Sequence, residues 1–148
     1  MTERSALMLL VEDNPADAIL MEEAISGSGI QLVVVEGGVD ACAYVNGQRP
    51  FEGAQRPDLI VLDLNLPDMN GKDVLATMKS SIGTRTIPVV VFSSSRASAD
   101  VDETYELGAN SYMQKPLELG AYREVIDSLE RFWFSAVRLP RSTQMGIA

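Results

Sequence analysis

No histidine occurs in this 148-residue chain, and only one cysteine, Cys42. The first absence removes imidazole metal ligands, histidine-based catalytic triads and any phosphohistidine carried by the chain itself. The second removes an intramolecular disulfide and leaves too few thiolates for a metal site. Cys42 is expected to be a buried structural thiol. Positive charge is scarce as well: 12 Lys and Arg stand against 21 Asp and Glu, a formal charge of −9. That is the wrong sign for a nucleic-acid surface, which needs clustered cations against phosphate. No apolar run reaches the ~18 residues of a membrane span, and no basic start precedes an apolar block. Neither a span nor a signal peptide is expected, and a soluble cytoplasmic protein is.

What remains suits a globular domain. Hydrophobic residues make up 46% and charged residues 22% of the chain, enough for one substantial core and too little length for two ordinary ones. The expected division is an N-terminal tail over 1–5, one domain over 6–133 and a C-terminal extension over 134–148.

The stretch that organises the chain is Leu59-Ile60-Val61-Leu62-Asp63. Four apolar residues without alternation read as a strand covered on both faces, with a carboxylate where it must end. Pro67 forbids continuation, and Asp68 to Gly71 supply turn chemistry. Similar runs predict strands over 6–11, 31–35, 88–92 and 111–114. Helical spacing and caps predict helices from Pro15 to about Ser26, and over 39–45, 72–80, 99–107 and 117–133. Asn14 caps the first of these, Pro15 fits its first turn, and Asp17 suits the positive end of its dipole. Five strands alternating with five helices require parallel pairing with right-handed crossovers. The fold class is therefore α/β, a doubly wound five-stranded parallel sheet of order 2-1-3-4-5.

In that arrangement Glu12, Asp13, Asp63, Ser93 and Lys115 fall on one rim, at the carboxyl ends of the strands where such sheets bind ligands. Each has an ordinary reading: a solvated pair, a turn former, a surface cation. Together they suggest chemistry. Clustered carboxylates repel unless a cation sits between them, and oxygen-only ligands suit Mg²⁺ with a substrate phosphate. A hydroxyl and a lysine opposite would complete a pocket for a phosphoryl group, which Asp63 would attack to form an aspartyl phosphate.

The pattern Glu12-Asp13, Asp63, Ser93 and Lys115-Pro116, in order after four strands, resembles the receiver domain of two-component response regulators over roughly residues 6 to 133. The resemblance implies a flavodoxin-like fold with Asp63 as phosphoacceptor. It implies Mg²⁺ held by Asp13, Asp63 and the backbone carbonyl of Asn65. Glu12 is longer than the usual aspartate at its position, so it is expected to order metal-bound water. Ser93 matches the switch hydroxyl, Lys115 the ion-pairing lysine and Pro116 a cis-proline. Tyr112 matches the aromatic that turns inward on activation, or is simply a packed strand residue. Asn65 and Ser95 match positions that tune the lifetime of the phosphorylated state.

The ending Arg131-Phe132-Trp133-Phe134-Ser135-Ala136-Val137-Arg138-Leu139-Pro140 resembles response regulators that partner bacterial phytochromes, red-light-sensing histidine kinases. The implied partner is such a sensor histidine kinase, with output through protein–protein interaction. Two other readings stay open. One is a phosphorylation-independent interaction module of the same fold. The other is a Mg²⁺-dependent aspartyl-phosphate phosphatase, but Asn65 stands where haloacid-dehalogenase-like enzymes need a second acid. A nucleotide-binding domain is a further alternative, but Gly27-Ser28-Gly29 follows a helix and lacks a third glycine.

The last helix carries excess apolar width. Leu119, Tyr122, Ile126, Leu129 and Trp133 form one stripe for the sheet, and Ala121, Val125, Phe132 and Ala136 form a second beside it. Together they span roughly 160°, against the roughly 100° that packing on a core requires. A two-fold homodimer interface at Ala121, Val125, Phe132, Trp133 and Phe134 is expected, or deeper burial by the tail. Phe134 falls on the charged arc if the helix continues, so the chain is expected to leave the helix near there or to find a partner.

Overall fold

The computed structural model describes residues 5–140. Most of the tail expected over 1–5, and the extension beyond residue 140, lie outside the described residues. Among the described residues the order is β1 (Leu7–Val11), α1 (Pro15–Ile25), β2 (Gln31–Val35), α2 (Gly38–Val45), β3 (Leu59–Leu62), α3 (Gly71–Ser80), β4 (Val89–Ser93), α4 (Ser98–Glu106), β5 (Ser111–Gln114) and α5 (Leu119–Arg131). A π-helical turn (Phe132–Ala136) closes the series. The strands form one parallel sheet in the expected order β2-β1-β3-β4-β5.

Side chains alternate between the two faces of a strand, and that alternation divides the core in two. Leu9 and Val11 of β1, Ile60 and Leu62 of β3, and Val89 and Val91 of β4 meet Ala41, Tyr44, Val74, Leu75 and Met78 from α2 and α3. Met8 and Leu10, Leu59 and Val61, and Val90 and Phe92 meet Met21, Ile25, Tyr122, Ile126 and Leu129 from α1 and α5. β1, β3 and β4 are buried along their whole length, while β2 and β5 are partly exposed edges. Each such aliphatic side chain taken from water contributes roughly 1.5–3 kcal/mol, and truncating one, as in Leu62→Ala, would cost about 2–5 kcal/mol. The three central strands are therefore rigid rails whose ends can be aimed.

Three expectations are corrected. α5 begins at Leu119, not at Leu117. Leu119, expected on the buried stripe, is 66% exposed, because it is the first residue of the helix and borders the open cavity at the strand ends. Cys42 is half-buried, not buried, since its helix α2 covers an edge strand; it packs on the margin of the first core cluster.

The last helix does lose its α geometry where Phe134 would have entered the charged arc. Val137 N–H donates to the Phe132 carbonyl at 3.1 Å, the wider ring of a π-turn. That extra residue turns Trp133 and Phe134 back onto the core cluster beneath α1 and α5. Phe132 stays 53% exposed.

Candidate phosphoryl-acceptor site

Backbone bonds carry the strand geometry one residue past the strands themselves, and so fix the site. Glu12 N–H donates to the Val35 carbonyl (3.0 Å), Asp63 N–H to that of Val11 (3.1 Å), and Lys115 N–H to that of Ser93 (2.8 Å). After Asp63 the chain must turn tightly into α3. At Gly71 a Cβ would stand 2.6 Å from the Asp63 carbonyl oxygen, so only glycine lets the start of α3 approach the end of β3.

These strand ends bring Glu12, Asp13, Asp63, Asn65, Lys115 and Pro116 to the wall of one open cavity of about 580 Å³, together with Asp17, Ser94, Leu119 and Tyr122. Its centre is a cation surrounded by acids. Lys115 Nζ lies 2.5 Å from Glu12 Oε1, 3.0 Å from Asp17 Oδ2 and 3.2 Å from Asp63 Oδ2. Glu12 and Asp63 are buried, as is Lys115; Asp13 is exposed. Burial pushes the Glu12 carboxyl up to about 7, against the lowering pull of its Lys115 bond and with the Asp63 charge adding to the rise. Burial also opposes the charge on Lys115. The bond to Glu12 and the charges of Asp63 and Glu12 outweigh it and hold the ammonium above the usual lysine range.

The donor set fits a hard divalent cation. Glu12, Asp13 and Asp63 each offer a carboxylate oxygen, all within 4.8 Å of one another, and one lysine leaves that cluster net negative. All-oxygen, anionic sites of this kind suit Mg²⁺, Mn²⁺ or Ca²⁺. The second Glu12 oxygen accepts from Asn14 N–H at 3.2 Å, so Glu12 already has partners at both oxygens. Asn65 lies beside Asp63, its N–H donating to Asp63 Oδ1 at 3.2 Å.

On the β4 side Ser93 is fully buried, and its Oγ accepts from Ser95 N–H at 3.2 Å. The neighbouring Ser94, not Ser93 or Ser95, lines the cavity. Ser95 Oγ instead donates to Asp100 Oδ2 at 2.5 Å. Lys72 at the start of α3 bonds Asp100 Oδ1 and Glu103 Oε2, each at 2.6 Å. The Tyr112 hydroxyl donates to the Ser95 carbonyl at 2.9 Å, and its ring packs on the margin of the first core cluster. The loop after Ser93 is therefore tied to α3, α4 and β5.

The cis bond expected at Pro116 is not found. Among the described residues the cis X-Pro bond is Arg49–Pro50. Trans is favoured by roughly 0.5–1 kcal/mol at X-Pro bonds, and the Lys115 backbone is already placed by its bond to Ser93. Sequence reasoning also missed Asp17, assigned only to the helix dipole. The cue was available: Asn14 Oδ1 accepts from Ala16 and Asp17 N–H at 2.9 and 3.4 Å, and that cap sets Asp17 on the first turn, beside the acidic pair.

Comparison with known proteins gives the family and the fold. Residues 8–127 match the family model described as response regulator receiver domain. The chain is 39% identical over 136 residues to response regulator Rcp1 of Synechocystis sp., covering 90% of this chain and 92% of that protein. Among solved structures it is similar to the phosphorylated cyanobacterial phytochrome response regulator RcpA, with a TM-score of 0.90 and 40% identity over 93% of this chain and 99% of that one. The Mn²⁺-bound form of Rcp1 superposes with a TM-score of 0.89 at 38% identity, over 92% and 99% of the two chains.

Proposed function

Because the chain belongs to the response regulator receiver domain family, we propose that it takes a phosphoryl group from a sensor histidine kinase onto Asp63. The observation that carries this is the convergence of Glu12, Asp17 and Asp63 on the single ammonium of Lys115 at the ends of three strands.

An oxygen of Asp63 attacks phosphorus and forms a P–O bond while the donor's P–N bond breaks. The imidazole leaves with the electron pair and takes a proton from solvent. Asp13, Asp63 and the Asn65 carbonyl would hold a divalent cation, with Glu12 reaching it through water, and the ion would neutralise charge on the transferring group. We assign magnesium to this role; the Mn²⁺-bound form of the similar Rcp1 supports a divalent ion in general. Lys115 meets a phosphoryl oxygen, and the Ser93 hydroxyl turns to bond another. Ser93 would then release Ser95 N–H, and the Ser95–Tyr112 tie would carry the change towards β5. Asn65 and Ser95 set the lifetime of the aspartyl phosphate. Turnover of outside substrates is no part of this reading, because Asn65 offers no acid two residues after Asp63.

The kinase we propose is a bacterial phytochrome, on the strength of the likeness to RcpA, a phytochrome response regulator, and a cytoplasmic location goes with it. Self-association is a further part of the proposal. Phe132 is exposed beside the half-buried Ala121 and Val125, an apolar margin that a second copy would cover. Trp133 and Phe134 already pack on their own core, so they would support that face more than form it.

Phosphotransfer from an autophosphorylated histidine kinase tests the function. Label should pass to this chain only with a divalent cation present and should be lost from Asp63→Asn. Equal transfer in the presence of a chelator would contradict it.

A further inference from the structure

A lysine ammonium has three hydrogens to donate, and at Lys115 all three have carboxylate partners. Glu12 lies at 2.5 Å, Asp17 at 3.0 Å and Asp63 at 3.2 Å. A phosphoryl oxygen can therefore reach Lys115 only by displacing one of them. The partners are unequal. The Glu12 and Asp63 side chains are 3% and 9% exposed, and that of Asp17 is 21% exposed. Until the P–O bond forms, breaking the bond to buried Glu12 or Asp63 strands a charge away from water, whereas Asp17, on the rim of the cavity, can be hydrated in place. The cavity also carries five carboxylates, Glu12, Asp13, Asp17, Asp63 and Glu118, against Lys115. Into it must come a phosphoryl group bearing up to about two negative charges.

We propose that Asp17 is a positioning residue for phosphoryl transfer, holding Lys115 in the free protein and being the partner that Lys115 releases to an incoming phosphoryl oxygen. The inference rests on Asp63 being the acceptor. With a small acyl phosphate as donor, an Asp63 oxygen bonds to phosphorus as the donor's P–O bond breaks, and the acyl group leaves as a carboxylate with the electron pair. Asp17 forms and breaks no covalent bond. It exchanges its Lys115 hydrogen bond for water, and its charge opposes the approach of the donor. Asp17 thus makes the free state more stable and phosphorylation slower.

The test is the rate of phosphorylation of the full chain by acetyl phosphate at saturating Mg²⁺, across a range of ionic strength. Asp17→Asn should react about 3- to 10-fold faster than the parent at low salt, chiefly through a lower KM for the donor, as removal of a like charge from a cleft predicts. The gap should close as salt screens the charge. Asp17→Glu, which keeps the charge, should return towards the parent rate, and Asp17→Ser gives the same comparison as Asn should the amide disturb the fold. These readouts separate positioning from mere support, since a structural loss would not follow charge and salt. Rates of Asp17→Asn and Asp17→Ser equal to or below the parent's at every salt concentration overturn the role of Asp17 alone. A parent that takes no phosphate overturns the acceptor assignment and this inference with it.

Discussion

Asp68 caps a helix to which it does not belong: its Oδ1 accepts from Gly38 N–H at 2.8 Å, and its Oδ2 from Val39 N–H at 3.0 Å. The loop that leaves Asp63 is thereby pinned to the start of α2. The contact is close, since a Cβ on Gly37 would stand 2.7 Å from Asp68 Oδ2. Asp68→Ala removes the cap and should destabilise the fold by about 1 kcal/mol. The pH dependence has a definite sign. The bonds from Val39 and Gly38 hold the Asp68 carboxyl below its ordinary value of 3.8. Its contribution is therefore complete above that value and fades as pH falls through the lower folded one. Chemical denaturation of parent and variant should differ at neutral pH and converge only in acid below about pH 4.

Lys115→Met should be costly without cation and less so with it. The substitution keeps most of the stem but leaves Glu12 and Asp63 buried with no counter-charge, a loss of about 3–5 kcal/mol. Added Mg²⁺ would bind those orphaned carboxylates in the folded state and restore part of the stability by mass action. Thermal melts with and without Mg²⁺ check this, and a variant insensitive to the ion would count against the site.

Asp100→Ala should loosen the loop after β4. Asp100 holds the Ser95 hydroxyl and Lys72 together, and Ser95 Oγ in turn accepts from Ala97 N–H at 3.3 Å. Amide hydrogen exchange at Ser95 and Ala97 should quicken while the central strands keep their protection. Unchanged exchange in that loop would show that the network does not restrain it.

Phe132→Glu, placed on the exposed margin of α5, should leave a folded monomer if copies pair through that face. Sedimentation of the parent at high concentration should show a dimer that the variant lacks. A parent that is monomeric throughout ends the self-association reading.

The sheet was readable because continuous apolar runs, bounded by turn residues and carboxylates, have one physical solution between two layers of helices. β5, Ser111–Gln114, was found at its full extent even though it is a half-buried edge. The rim residues followed from the topology, since strand ends in a parallel sheet converge. Less legible were features set by side chains meeting across sequence. Asp17 reaches Lys115 over 98 positions and Asp68 reaches Gly38 over 30, and neither pairing leaves a local periodic signal. The π-turn lay between these cases. The helical projection of Phe134 showed a conflict with the charged arc, but only packing against the second core cluster decided that the backbone would widen to resolve it. The isomer of Pro116 carried no signal in composition or spacing and came from family resemblance alone.

The central claim is that Asp63 is the atom-level acceptor. Site-resolved mass spectrometry of the chain after reaction with acetyl phosphate and Mg²⁺ tests it most directly. One phosphoryl group should be found on the parent, located at Asp63, and none on Asp63→Asn, whose amide keeps the volume but loses the nucleophilic oxygen. Stoichiometric phosphate on the parent at any other residue, or undiminished phosphate on Asp63→Asn, would contradict the account.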